Sequence, residues 1–433
     1  MKLKIHRGTH EIGGSCVELG TDSGKTRIVI DIGMPLVTPE GSTFEWREYK
    51  GQSTKQLLEQ KVLPQVDGLY PCQSASVSAL LVSHAHQDHY GFLRFLHPDI
   101  PVYMSGGTRG IVEVSNLFLD TRVNLGQVQS FTMWQQFQIG EFTITPYLMD
   151  HSAPDAAAFL IEADGKRVFY TGDFRGHGRK GILLKRLLAD PIPNVDCLIM
   201  EGSMIGREEG IYSDEGAVER AIAKILANQC SYTFVFCSSQ NLDRLVSIYR
   251  AVKRHRKILV VDLYTALVLD KLHSLSDNIP QFDWRGIRVL YGYAHARKIA
   301  EYDKGLLYRY RGSKINWDDI KSQPQDMVIL ARDNRYLRNP MLRKLQPSTG
   351  AKAIYSMWHG YLERTDLQKV LEVHHVEFVE IHTSGHAYVS SLKELALALR
   401  PRVMYPIHTF QPEEFGRLFA NVVQIQDGEE REV

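Results

Sequence analysis

Short apolar runs, each closed by Gly, Asp or Pro, follow one another through the opening part of the chain: KLKIHRG, SCVELGT, TRIVIDIG, VSALLVSHAH, PVYMSG, FTITPYLM, AFLIEAD, KRVFYTGD and CLIMEG. Branched and aromatic side chains suit a pleated surface, and the breakers end it, so these runs read as strands. Helix-like stretches lie between them, notably Tyr90 to His97 and Thr108 to Asn116. From about Ile211 the texture changes. DEGAVERAIAKILANQ and NLDRLVSIYRAVKRHRK have helical periodicity and alternate with the apolar runs TFVFCSS, KILVVDL and MVILARD, a spacing that predicts a parallel sheet with crossover helices. After Met357 strand-rich segments return, HHVEFVEIHTSGHA and PRVMYPIHT, ending in histidines as the early ones do. The pattern predicts an α/β protein in which residues 206–357 form a domain inserted between two parts of another, 1–205 and 358–433. The acidic tail DGEEREV is expected to fray.

Composition narrows this modestly. With 433 residues, 44% of them hydrophobic and 23% charged, the chain has room for two or three full cores, which excludes disordered and fibrous classes. No stretch approaches the roughly 20 apolar residues that span a bilayer, and MKLKIHRGTH has no apolar run behind its basic residues, so a soluble cytoplasmic protein is expected. Five cysteines without a CxxC spacing argue against a disulfide framework or a cysteine zinc site.

Charge needs resolving by region. The net charge of +1 does not announce a nucleic-acid partner, yet residues 283–344 carry 14 Lys+Arg against 7 Asp+Glu. Tyr291, Tyr293, Tyr308, Tyr310, Trp317 and Tyr336 are interleaved there. Basic groups neutralise phosphates and aromatic rings stack bases, so this stretch is expected to form a groove for a nucleic-acid strand.

The densest chemistry is HAHQDH, residues 84–89, after the apolar run SALLVS. Residues two apart at a strand end face the same way, so His84 and His86 can take one metal ion from one side, while the turn carries Asp88 and His89 toward a second. His151, Asp173 and His408 close later apolar runs. Two ions about 3.5–4 Å apart need five or more nitrogen and oxygen ligands and a bridging carboxylate, for which Asp173 is the natural candidate.

HxHxDH, then a single His, then Asp in a TGD turn resembles the metallo-β-lactamase fold superfamily, whose fold is an αββα sandwich. That likeness implies His84, His86 and His151 on one ion, Asp88, His89 and His408 on the other, and Asp173 between them. It also implies that Asp31 in IVIDIG supports the metal loop by hydrogen bonds. Glu201 in LIMEGS, His386 in HTSGHA and His408 in YPIHT resemble the three motifs of the β-CASP nucleases, with the middle segment as the inserted β-CASP domain. GTHEIGGSC, SSQNLDRL, WHGYL and IHTSGHA bring the chain nearest to the ribonuclease J type, without that type's extra C-terminal domain.

The resemblance implies phosphodiester hydrolysis by metal-activated water, with Asp88, Asp173, Glu201 and His386 as catalytic residues and His386 as the general acid, oriented by Glu201. Zn²⁺ is the foremost cofactor and Mn²⁺ the alternative, since histidine and carboxylate ligands suit both. Ser238, Ser239, His382 and Ser384 would hold the substrate's terminal phosphate. A His at the third motif favours single-stranded RNA over DNA as partner, and the family likeness allows a homodimer. A thioesterase- or lactonase-type hydrolase leaves Glu201, His386 and the insertion unexplained. A non-cutting RNA-binding scaffold leaves seven retained ligands unexplained.

Overall fold

In a computed structural model, residues 1–38, 41–119, 122–228, 231–347 and 350–433 are described. All nine apolar runs of the opening part form strands, and they divide between two sheets. The first has the order Glu430–Glu432, Lys2–Arg7, Cys16–Gly20, Arg27–Ile30, Ala79–Leu81, Val102–Ser105, Val128–Phe131. The second has the order Val403–Ile407, Cys197–Glu201, Lys166–Tyr170, Ala157–Ala163, Phe142–Leu148, Phe137–Ile139. Alternation along each strand makes the sandwich. Leu3, Ile5, Val17, Ile28, Ile30 and Leu81 face Ile144, Phe159, Ile161, Val168, Ile199 and Ile407 in one buried layer.

The outer faces are covered by helices. Gly106–Phe118 lies over the first sheet, burying Ile111 and Val112 near Leu80 and Met104. Ile182–Ala189 and Val389–Leu399 cover the second through Leu184, Leu187, Leu392 and Leu395. The result is an αββα sandwich of the metallo-β-lactamase type.

The third sheet is wholly parallel, in the order Lys314–Ile315, Ile287–Leu290, Ile258–Asp262, Met327–Ala331, Thr233–Phe236, Lys352–Tyr355, Glu377–Glu380. The helices Glu215–Leu226 and Leu242–Arg254 flank it as the periodicity predicts. A parallel sheet buried on both faces explains the unbroken apolar runs TFVF and MVILA, buried at every position.

Three expectations need correction. Glu377–Glu380 was expected beyond the insertion, but it pairs with Lys352–Tyr355 in the third sheet, so that sheet ends near residue 381 rather than 357. The acidic tail does not fray: Glu430–Glu432 pairs with Lys2–Lys4, and Glu430 meets Lys2 at 3.1 Å. Tyr90–His97 is not one helix but a short turn of helix, Gln87–Tyr90, followed by a 3-10 turn, Leu93–Phe95. In the basic stretch the rings divide: Tyr310 is fully buried with its hydroxyl on Asp270, and Tyr291 donates to the Leu307 carbonyl. Tyr293 and Tyr308 are exposed, and the side chain of Tyr336 lies outside the described residues. Several of the basic residues there pair with acids inside and outside the stretch, Arg297 with Glu301, Arg309 with Asp270 and Arg338 with Asp333 and Asp366. No helix among the described residues is long and apolar enough to cross a membrane.

Candidate metal centre

Both sheets of the sandwich deliver polar residues to one rim. Asp31 follows Ile30 directly, Glu201 ends its own strand, and His408 follows Ile407. His84, His151 and Asp173 each lie three residues beyond a strand, after Leu81, Leu148 and Tyr170. His84 and His86 therefore sit in a loop rather than on a strand, so they converge through the loop's path and not through pleat alternation. Their facing nitrogens, Nε2 and Nδ1, are 3.1 Å apart.

Two glycines make the loop geometry possible. At Gly172 the backbone is left-handed (φ +53°), and a Cβ there would come within 2.9 Å of the Ala157 carbonyl. At Gly33 a Cβ would lie 1.7 Å from the Asp88 carbonyl oxygen, so the HAHQDH loop can approach only a glycine. Asp31 and His408 are themselves left-handed, with φ of +61° and +56°. Non-glycine residues persist there only when the surroundings hold them.

Three groups converge within 4.8 Å: His84, His86, His151 and Asp173; Asp88, His89, Asp173 and His408; Asp173, Glu201 and His386. Asp173 belongs to all three. Its Oδ2 lies 3.1 Å from His89 Nε2, 3.5 Å from His408 Nε2, 3.7 Å from His84 Nε2 and 3.7 Å from His386 Nδ1. His151 Nε2 stands 3.2 Å from His86 Nδ1, and Asp88 Oδ2 is 3.7 Å from His408 Nε2.

The rings are anchored from behind. His151 Nδ1 donates to the Gly385 carbonyl at 2.8 Å, and His89 Nδ1 donates to Asp31 at 2.8 Å. Asp31 also accepts from the Ser83 backbone and hydroxyl and from the buried Tyr170 hydroxyl, so its carboxylate organises the loop as expected. Ser15 Oγ lies 3.0 Å and Gly13 N 3.2 Å from His408 Nδ1. The Gly13 N–H donates to that nitrogen, so Nδ1 acts as an acceptor in the metal-free site.

Burial pushes His84 and His151 well below the ordinary imidazole range, lowers His408, and brings His86 down to about 4. Neutral rings are what a cation needs. For His89 burial also opposes charge, but Asp173 and Asp31 outweigh it and hold the ring well above its usual value. A cation binding at Nε2 would displace that proton. Burial opposes the Asp173 carboxylate, yet His408, His89 and His386 keep it well below the usual range.

A divalent cation fits this set. Asp173 Oδ1 and His408 Nε2 are buried without a hydrogen-bond partner, a cost that a bound ion would remove. Five imidazoles and two carboxylates are hard-to-borderline donors suited to such ions.

Glu201 Oε2 is 3.3 Å from His386 Nδ1, while the same carboxylate accepts backbone N–H groups from Phe174, Ser203 and Ala387. It thus holds the TGD turn, its own turn and the histidine loop together. Burial disfavours a charged His386, but Glu201 and then Asp173 raise it to about 9 in the metal-free site.

The four residues expected to hold a terminal phosphate each have contacts of their own. Ser238 is exposed; Ser239 is buried and turned to Thr265 Oγ1 at 2.7 Å. His382 Nδ1 is 3.4 Å from Arg244 Nη1, and the Ser384 hydroxyl accepts the His386 N–H. Ser238 and His382 do share the C-terminal rim of the parallel sheet, where Ser356 links the strands between them.

A buried ionic network went unread in the sequence. Arg175 and Arg244, both fully buried, share Glu215: Arg244 Nη2 meets it at 2.9 Å and Arg175 Nη1 at 3.4 Å, while Arg175 Nη2 binds Asp243 at 2.7 Å. Arg175 Nη1 also donates to the Ser384 carbonyl at 2.9 Å. The network ties the TGDFR turn, the two helices flanking the third sheet and the loop carrying His386. Only the arginine inside the amphipathic NLDRL run could have signalled it.

Comparison with known proteins agrees with this architecture. A family model described as a beta-lactamase superfamily domain matches residues 55–233. Ribonuclease J of Sinorhizobium meliloti is 24% identical over 373 residues, covering 80% of this chain and 60% of that protein. Ribonuclease J of Helicobacter pylori is 23% identical over 444 residues, covering 94% and 56%. An RNase J-like protein of Methanocaldococcus jannaschii is 25% identical over 270 residues, covering 60% and 53%. The chain thus spans somewhat over half the length of these curated relatives. A crystal structure of a protein of unknown function from Enterococcus faecalis superposes with a TM-score of 0.79 at 21% identity, covering 99% of each chain. By its sandwich, its matched domain and these relatives, the chain is a metallo-β-lactamase-fold protein similar to ribonuclease J.

Proposed function

We propose that the protein is a metal-dependent ribonuclease that hydrolyses phosphodiester bonds of single-stranded RNA. The observation that carries this reading is the position of Asp173, shared by two three-residue ligand groups and by the Glu201–His386 pair. His84, His86 and His151 would hold one cation and Asp88, His89 and His408 the other, with Asp173 common to both. Divalent cations bound there, Zn²⁺ or Mn²⁺, supply a water that ionises near neutral pH and positive charge beside the phosphate oxygens.

The chain's own residues do the rest. His386 presents Nδ1 to Glu201 and Asp173, which leaves Nε2 as the atom to protonate the leaving 3′ oxygen. Glu201 orients that ring and, through three backbone N–H groups, keeps it in register with the Asp173 turn. Ser238, Ser239, His382 and Ser384 stay candidates for the substrate's terminal phosphate, with Ser238 and His382 favoured by their shared rim. The relatives named ribonuclease J support RNA as substrate, and we divide the chain accordingly into a split metal domain and an inserted unit running from about 206 to 381.

Purified protein supplied with Mn²⁺ or Zn²⁺ is expected to cut single-stranded RNA faster than DNA of the same sequence. His84→Ala and Asp173→Asn are expected to abolish cutting. Cleavage that survives both substitutions, or a preference for DNA, would contradict the proposal. Comparing 5′-labelled with internally labelled RNA then separates exonuclease from endonuclease action.

A further inference from the structure

Beside the metal centre three large rings are partly exposed and lie close together. Trp358, Tyr361 and Phe410 are 41%, 45% and 46% exposed. Trp358 and Tyr361 meet edge to face with centroids 5.3 Å apart. The Arg207 guanidinium lies between two of the rings, 5.2 Å from the Trp358 centroid and 5.9 Å from that of Phe410.

The cluster draws on three separate segments, and each is held. The turn after Glu201 carries Arg207, and its Gly206 (φ +74°) sits so close to Gln411 that a Cβ would come within 2.2 Å of the amide. Ser203 Oγ donates to the His408 carbonyl, joining that turn to the segment that carries Phe410. The 3-10 turn His359–Arg364 carries Tyr361, and its Trp358 carbonyl accepts from Tyr355. The Trp358 ring lies on Gly360, where a Cβ would meet it at 2.3 Å.

Position relates the cluster to the chemistry. Phe410 is two residues past His408, Arg207 is six past Glu201, and Tyr361 meets Trp358 beside them. Exposed rings around a fixed cation offer π-faces to bases and a charge to the phosphate joining them, a combination suited to a single strand and not to a duplex, whose bases are stacked internally.

We propose that Trp358, Tyr361 and Phe410, with Arg207 among them, form a base-stacking platform that seats single-stranded RNA next to the bond to be cut. The proposal rests on the ribonuclease reading of the metal centre. It assigns Arg207 to the phosphate and the rings to nucleobases without sequence preference.

The test compares a mixed-sequence single-stranded RNA with the same oligonucleotide lacking one base beside the cleaved bond, using full-length protein with Mn²⁺. Wild type is expected to cut the abasic substrate about ten-fold less efficiently, and Trp358→Ala or Phe410→Ala to lose about ten-fold on intact RNA but little more on the abasic one. Trp358→Phe is expected to recover most of the loss, and all variants to keep the wild-type metal content. Wild type cutting both substrates equally, or variants losing equally on both, would overturn the platform while leaving the nuclease standing. Wild type that cuts no RNA would overturn the nuclease reading and the platform with it.

Discussion

At the scale of single residues the site depends on how backbone steric limits aim a few side chains. Gly33 gives the plainest case, because the Asp88 carbonyl occupies the place a Cβ would take. Gly33→Ala is expected to cost at least about 3 kcal/mol, since the clash is with backbone, and to lower metal content, as read by thermal melting and metal analysis. An unchanged melting temperature would contradict that reading. His386→Ala, by contrast, removes no member of the two three-residue ligand sets, His84, His86 and His151 or Asp88, His89 and His408. Single-turnover cutting is expected to slow by about a hundred-fold or more while the metal content stays at the wild-type value; loss of metal would recast His386 as structural support. The residues that converge at the rim were legible because they are histidines and aspartates, the types a cation needs, and each follows an apolar run. The platform rings were not, since nothing in the sequence distinguishes an exposed Trp358 from a buried one.

At the scale of elements, strands follow from local alternation, and all nine early runs became strands. What alternation does not reveal is which sheet a strand joins. Glu377–Glu380 has the same texture as the strands of the sandwich, and only its crossover helix Leu367–Val373, buried through Leu367 and Leu371 against the third sheet's core, carries it to that sheet. The Glu215–Arg244–Arg175–Asp243 network, which joins elements far apart in sequence, was hidden for the same reason. Burial disfavours the Glu215 and Asp243 carboxylates, but the buried arginines, with Lys180 on Asp243, depress both. A depressed folded value means stability that is present above the unfolded carboxylate pKa of about 4 and lost as the pH falls through the folded values. Asp150, raised by burial despite Arg175, works in the opposite sense. Denaturant titrations from pH 7 to pH 3 are therefore expected to show a steep acid loss that is shallower in Glu215→Gln. Glu215→Ala at pH 7 is expected to cost about 3–5 kcal/mol, because it takes the carboxylate partner from the buried Arg244 guanidinium and leaves Arg175 with Asp243. A slope equal to wild type in Glu215→Gln would show that the network does not govern acid stability.

At the scale of the whole molecule, the two sheets of the sandwich, joined through a third, parallel sheet, bring residues 31 to 408 to one rim. The net charge of +1 conceals a basic stretch, yet many of its arginines are paired and its central tyrosine is buried. The proposed platform adds to that stretch a second candidate surface, the rings and Arg207 beside the metal centre. The central claim is a pair of cations sharing Asp173, and metal analysis tests it most directly. Protein stripped with chelator and reloaded with Mn²⁺ or Zn²⁺ is expected to hold two ions per chain, falling to one or fewer in Asp173→Asn. One ion or none in wild type, or two retained in Asp173→Asn, would contradict it.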